Sequence, residues 1–227
     1  MDQGRVVEAL HREAGRLVQE MTGVSQAEWQ LPTRCAPWTV ADLLAHVRVV
    51  MAWLPGMLAV PAPVRAEVSA AEYYRPDDRF APDTNAARIA LAQDYAAGQL
   101  SGAGLVEGFD ATRQEVDRLC RAEPDGRVVR TRHGDPMLLS EFLVTRVVEV
   151  AVHGLDLADA LGRDPWLTRQ AAEVVQDLLL GPDSAAQLRK LGWGQLRFLR
   201  KATGRDPITA EESAEVDRLG IRWITLG

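Results

Sequence analysis

The stretch PMLLSEFLVTRVVEVAVHGLDLADAL, residues 136–161, decides the fold. Its apolar residues are dense enough for a helix covered on most sides. Glu149 and His153 nevertheless sit inside it, four residues apart. On a helix that spacing puts both on one face, one turn above the other. Val147, Val148, Val150, Ala151 and Val152 surround the glutamate, so its carboxylate is expected to be at least partly buried. A buried carboxylate without a partner is costly, so Glu149 needs a charge partner, a proton or a metal ion. Thr145 and Asp156 continue the polar stripe, four residues before Glu149 and three after His153.

A second helix is expected over residues 39–54, TVADLLAHVRVVMAWL. Thr39 serves as N-cap with Asp42 three positions on, a variant of the capping box. Pro55 and Gly56 are read as its end. His46, three after Leu43 and four before Val50, points to the core side. Alone it reads as a satisfied core histidine; beside an unpaired glutamate and histidine it reads as a third ligand. Residues 4–22 and 104–122 carry apolar side chains at helical spacing, the first with its charges on the other side. His11 lies at the rim of the first, and Cys120 packs beside the stripe of the second.

Four long amphipathic helices define a mainly all-α protein, a four-helix bundle whose facing helices can hold a metal in the interior. We assign residues 1–165 to the bundle and 166–227 to a smaller helical and extended unit packed on it. That unit holds a helix from Thr168, broken by GPD, helical pieces over 184–203, and a capping box at Thr209 and Glu212. IRWITL near the end reads as a strand or strap. Elsewhere, residues 55–84 read as an irregular excursion of the kind that forms a lid or pocket wall. A helical segment follows, interrupted by Gly98, Gly102 and Gly104, and RVVRTR reads as a short extended segment. Asp135 is expected to cap the central helix with Pro136 in its first position. His133 just before it reads as a solvent-exposed loop residue within reach of a pocket rim.

The bulk properties exclude other classes. A net charge of −6 argues against nucleic acid as a partner. No apolar run reaches the roughly 20 residues that span a membrane, so no membrane is expected as a partner. The chain holds two cysteines, Cys35 and Cys120, which suggests a reducing compartment rather than a disulfide framework. The amino terminus lacks the apolar core of a signal peptide. The expected location is the cytoplasm, as a monomer or homodimer.

His46, Glu149 and His153 together make a two-histidine, one-carboxylate set. Three protein ligands leave a coordination position open, the pattern of a catalytic zinc site. Nickel or iron would also suit these donors.

The stretches PTRCAPWTVADLLAHV and RVVEVAVHGLDLADALG resemble the two signature segments of the mycothiol-dependent maleylpyruvate isomerase family, within the DinB-like superfamily of metal-binding four-helix bundles. The resemblance covers roughly residues 1–162. Ala36–Pro37 departs from the Pro–Gly that many members carry before the tryptophan. The family's ligands fall on His46, Glu149 and His153. The resemblance implies a divalent metal, usually zinc, that holds the thiol of mycothiol as a nucleophilic thiolate. The thiolate adds to a small electrophilic substrate, in a cis–trans isomerisation or a lasting S-transfer, and no protein cysteine is needed. Thr145, Arg146 and Asp156 are candidate supports of the ligands or substrate. Asp156 is placed to take the ring proton of His153, and Arg146 to anchor the bundle through an ion pair. Arg222 is a candidate substrate-side cation, because the tail lines the pocket in longer relatives. Two other readings suit the same bundle: a hydrolase or lyase using metal-bound water, and a non-catalytic small-molecule binder.

Overall fold

The computed structural model describes residues 1–75 and 81–224. Four helices form the bundle: α1 (Gln3–Met21), α2 (Val40–Met51), α6 (Gly102–Ala122) and α7 (Leu139–Ala160). α1 and α2 each pack against both α6 and α7. Val6, Leu10 and Leu17 of α1, Leu43 and Val47 of α2, Phe109 of α6, and Phe142, Val147 and Val150 of α7 are buried. Burial of such side chains contributes about 1.5–3 kcal/mol each. The fold is therefore the mainly all-α bundle that the four apolar stripes predict.

The starts and stops show where chemistry overrides pattern. The Thr39–Asp42 capping box is present in both directions. α2, however, ends at Met51, and Pro55 with Gly56 lies inside α3 (Trp53–Leu58). A proline cannot bond the carbonyl four residues back and its ring crowds that carbonyl. For Pro55 that carbonyl belongs to Met51, so the break falls four residues early. Pro55 itself is harmless as the third residue of a new helix, where N–H groups lack intrahelical partners anyway. Among the described residues, Val40–Leu58 is the one stretch long and apolar enough to cross a membrane by composition. It is broken here at Ala52, and its buried residues join the core.

The expected irregular excursion, residues 55–84, takes in the end of α3 and, among its described residues, the ordered turn α4 (Ala70–Tyr73), with a full capping box between Ser69 and Glu72. Part of EYYRPDDRF, residues 76–80, lies outside the described residues. α5 (Pro82–Ala97) carries proline in its first turn and packs on α2. The break before α6 is real, but Gly102 and Gly104 belong to that helix's first turn, capped by Ser101. Gly102 is needed there because a Cβ would overlap the Trp29 indole.

Residues 136–138 are a strand, not the start of the central helix. β1 (Val128–Arg130) pairs antiparallel with β2 (Pro136–Leu138), with Val129 opposite Met137. Asp135 closes the connecting turn: its carbonyl accepts from Thr131 N at 2.9 Å, and its N–H donates to Thr131 Oγ1 at 3.2 Å. The Pro136 carbonyl accepts from Glu67 and Val68. With Asp135 occupied, α7 begins at Leu139 without a side-chain cap.

Beyond the bundle come α8 (Arg169–Leu180), α9 (Ser184–Leu191), α10 (Gln195–Ala202) and α11 (Ala210–Arg218). Thr168 caps α8, and Thr209 with Glu212 forms the capping box of α11. Residues 221–224 form no strand; Ile224 N bonds the Leu179 carbonyl at 3.1 Å as a strap. The rest of IRWITL lies outside the described residues.

α8 packs on α1 and α7, which buries a side of α1 that its pattern assigned to solvent. Glu13 is 1% exposed there. Its Oε2 accepts from Thr168 N at 2.8 Å, pinning α1 to the start of α8. Burial raises its carboxyl pKa from 4.5 to about 7. The folded state therefore holds a proton that the unfolded chain releases, and stability falls as pH rises from about 4.5 to about 7. At 1.36 kcal/mol per pH unit the loss is at most about 3 kcal/mol. Glu13→Gln is expected to remove this dependence. Urea unfolding at pH 5 and pH 8 should show the variant gaining on the parent by up to about 3 kcal/mol at the higher pH. A difference between the two proteins that does not change with pH would contradict the assignment.

Candidate metal centre

The bundle interior brings His46 of α2 to Glu149 and His153 of α7. His46 Nε2 lies 3.2 Å from Glu149 Oε2, and His153 Nε2 lies 3.4 Å from the same oxygen. The two imidazoles meet edge to face, centroids 5.2 Å apart. All three donor atoms lie within 4.8 Å of one another. Two donors about 2.1 Å from a tetrahedral zinc are about 3.4 Å apart, so the spacing suits a shared divalent cation.

Each ring is held. His46 is 3% exposed and stacked on the Trp38 indole, centroids 4.5 Å apart at 27°. His153 Nδ1 lies 3.0 Å from Asp156 Oδ2. A hydrogen bond from Nδ1–H to that carboxylate leaves Nε2 facing Glu149 and His46, the arrangement usual for metal-bound histidine. Asp156 thus sits where the helical spacing put it. Glu149 Oε1 is 3.8 Å from Arg146 Nη2. Arg146, 1% exposed, donates from Nη1 to the Val50 carbonyl at 3.0 Å. It therefore ties α7 to the end of α2, as well as to the Glu149 carboxylate.

Two expected participants do not join the group. The Thr145 hydroxyl donates to the Phe142 carbonyl at 2.6 Å and accepts from Arg146 Nε at 3.2 Å. It steadies Arg146 and does not reach the ligands. The Arg222 side chain is 74% exposed and pairs with Asp217 at 3.0 Å on the surface. His133, expected in solvent, is half-buried and walls the cavity at the site. That cavity runs from His46 and Glu149 between Trp53, Tyr73, Tyr74 and Arg88. His11 stays at the rim, 3.3 Å from Asp117.

Cys35 Sγ is 3.3 Å from Asp156 Oδ2 and 3.9 Å from His153 Nδ1. It lies at the ring edge opposite to Nε2, so it is no fourth donor to the His46–Glu149–His153 set. Cys35, His153 and Asp156 are themselves close enough to share an ion. Arg205, however, donates to Asp156 Oδ2 at 2.7 Å, and a guanidinium on that oxygen opposes a second cation there. The spacing rules also missed Arg205, Arg34 and the stacking partner Trp38.

The charges follow from this packing. Burial lowers the pKa of His46 and keeps it neutral. Burial also opposes charge on His153 and Glu149, but hydrogen bonds to Asp156, Cys35 and Glu149 outweigh it for His153, and bonds from His153 and His46 with the Arg146 charge outweigh it for Glu149. His153 is raised well above its usual range, and Glu149 is held well below. A cation entering the site must displace the His153 proton. Its affinity is therefore expected to rise up to about tenfold per pH unit below that pKa, with one proton released. Calorimetry in two buffers of different ionisation enthalpy measures the proton; binding that is indifferent to pH between 6 and 8 would contradict the assignment.

Bundle and donor set define a class: four-helix proteins with a two-histidine, one-carboxylate group between facing helices. Residues 9–158 match the model of the mycothiol maleylpyruvate isomerase N-terminal domain, and the chain belongs to this family. Two uncharacterized proteins, from two strains of Mycobacterium tuberculosis, are each 31% identical over 164 residues. The match covers 71% of this chain and 58% of theirs, so it spans somewhat over half the length of those relatives. A crystal structure of the mycothiol-dependent maleylpyruvate isomerase superposes with a TM-score of 0.51 at 17% identity, covering 78% of this chain and 68% of that one. A histidine-to-alanine mutant of that isomerase gives 0.50 at 16% identity with the same coverage. The likeness shows the fold, a four-helix bundle.

Proposed function

We propose that the chain is a metal-dependent enzyme that uses mycothiol as a co-substrate, either an S-transferase or a cis–trans isomerase of a small electrophile. His46, Glu149 and His153 hold a divalent cation, zinc first, within residues 1–165, and residues 166–227 brace the bundle. The observation that carries this is the meeting of the three donors at one end of a cavity walled by Trp53, Tyr73, Tyr74, Arg88 and His133. Family membership and the named activity of the structural relative support the same reading.

When bound, the cation supplies Lewis acidity that favours the thiolate form of a thiol near neutral pH. The chain's own residues do the rest. Asp156 orients His153, Trp38 orients His46, and Arg146 holds the Glu149 carboxylate in place. Tyr73, Tyr74 and Trp53 exclude water from the cavity, and Arg88 brings positive charge beside the electrophile. Thiolate addition forms a C–S bond and moves the electrons of the electrophile's double bond onto its conjugated acceptor. In isomerisation rotation follows and that bond breaks, so the thiol returns. In transfer the bond stays and carbon takes a proton. Such a thiol reaction suits the reducing cytoplasm.

Metal analysis of the purified protein, followed by turnover of maleylpyruvate and other electrophiles with and without mycothiol, tests this. About one divalent ion per chain and thiol-dependent turnover are expected. A loaded protein that is indifferent to every low-molecular-weight thiol would refute the thiol role and leave a water-based reaction.

A further inference from the structure

We propose that Arg205 is a positioning residue for the metal centre, locking Asp156 and through it the imidazole of His153 from a turn outside the family-matched segment. The inference rests on reading His46, Glu149 and His153 as ligands. Asp156 is fully buried, and both its oxygens are claimed. Arg205 Nε donates to Oδ1 at 3.0 Å and Nη2 to Oδ2 at 2.7 Å. Oδ2 is also the oxygen that faces His153 Nδ1 at 3.0 Å and Cys35 Sγ at 3.3 Å. A bidentate guanidinium fixes the plane of a carboxylate as well as its charge. Without it Asp156 could turn about its side-chain bonds, and the His153 ring would turn with it.

Arg205 is itself braced. Its Nη1 donates to the Thr203 carbonyl at 2.7 Å and its N–H to the Arg200 carbonyl at 2.6 Å. Arg34, in the loop before α2, donates to the Gly204 and Arg205 carbonyls, each at 2.9 Å. Gly204 makes the turn possible at φ +71°. The turn at 203–206 therefore joins the segment leading to His46 with the helix carrying Glu149 and His153. Both candidate ligand helices are referenced to one arginine from the C-terminal unit. Lysine, a point charge without the planar fork, would not reproduce this.

The test uses the full chain and zinc, with affinity measured by competition against a chromophoric chelator. Arg205→Ala is expected to weaken zinc binding about 10–100-fold, the usual effect of losing an outer partner of a ligand. Arg200→Ala is the control. Arg200 bonds Asp159 and Asp206 of the same C-terminal docking but does not touch Asp156, so zinc affinity should stay at the parent level. The visible spectrum of the cobalt-substituted protein should change in the first variant and not in the second. Parent-like zinc affinity in Arg205→Ala, or an equal loss in Arg200→Ala, would overturn the proposal while leaving the ligand set standing. A parent that binds no zinc would bring down both. Should Arg205→Ala fail to fold by circular dichroism, Arg205→Lys decides: reduced affinity supports the fork, and parent-like affinity refutes it.

Discussion

Replacing His153 by alanine is expected to cost the protein its divalent cation and its turnover together while leaving it folded. The reason lies in what each neighbour retains. Asp156 keeps Arg205 and Cys35, and Glu149 keeps His46 and Arg146. No charge is stranded, so the cost in folding should be near that of an ordinary truncation, about 1–2 kcal/mol. The cation, by contrast, loses one of three protein donors. Loss of an outer-shell partner alone weakens metal binding about 10–100-fold, so loss of a ligand should exceed 100-fold. His11→Ala, at the bundle rim, should change neither quantity. Metal content after dialysis, beside a urea melt, separates the two effects. A His153→Ala protein that retains a full metal complement would remove this residue from the site.

Asp156→Ala is expected to be the more damaging change to the fold. Asp156 neutralises Arg205 inside the protein and accepts from His153. Its removal leaves a mostly buried guanidinium without its counter-ion, and breaking one side of a buried pair costs about 3–5 kcal/mol. The Arg205 carbonyl that anchors Arg34 would lose its reference as well, loosening the approach to α2. Metal affinity should fall about 10–100-fold, since Nδ1 of His153 loses the oxygen that fixes its tautomer. Asp156→Asn keeps the shape and should recover much of the stability but little of the affinity. Denaturant midpoints and zinc competition on both variants check this. Equal, parent-like affinity in both would show that His153 is oriented by something else.

What the sequence disclosed was mostly what periodicity can encode. His46, Glu149, His153 and Asp156 each lie on a regular helix, where an offset of three or four residues fixes a face. Their neighbours are apolar, so a polar side chain there had to find a partner. Thr145 shared the same face, but spacing says nothing of where a hydroxyl bonds, and it satisfied its own helix at Phe142. Pro136 fits a helix start by rule; the competing turn at Thr131 was not visible as a competitor. Pro55 reads as a stop at its own position, although its steric effect falls on the Met51 carbonyl. Glu13 lies among the charges on the side of α1 away from its apolar stripe, and α8, packed against α1 beside α6 and α7, buries it. Arg205 had no local signal: it sits in a turn 49 residues from Asp156, and tertiary packing alone brings the two together.

Diffraction from crystals grown with zinc, with anomalous data collected across the zinc edge, tests the central claim most directly. One strong peak is expected about 2.0–2.2 Å from His46 Nε2, Glu149 Oε2 and His153 Nε2 at once. A peak between Cys35, Asp156 and His153 Nδ1, or metal-replete protein in which Glu149 only bridges the two histidines, would contradict it.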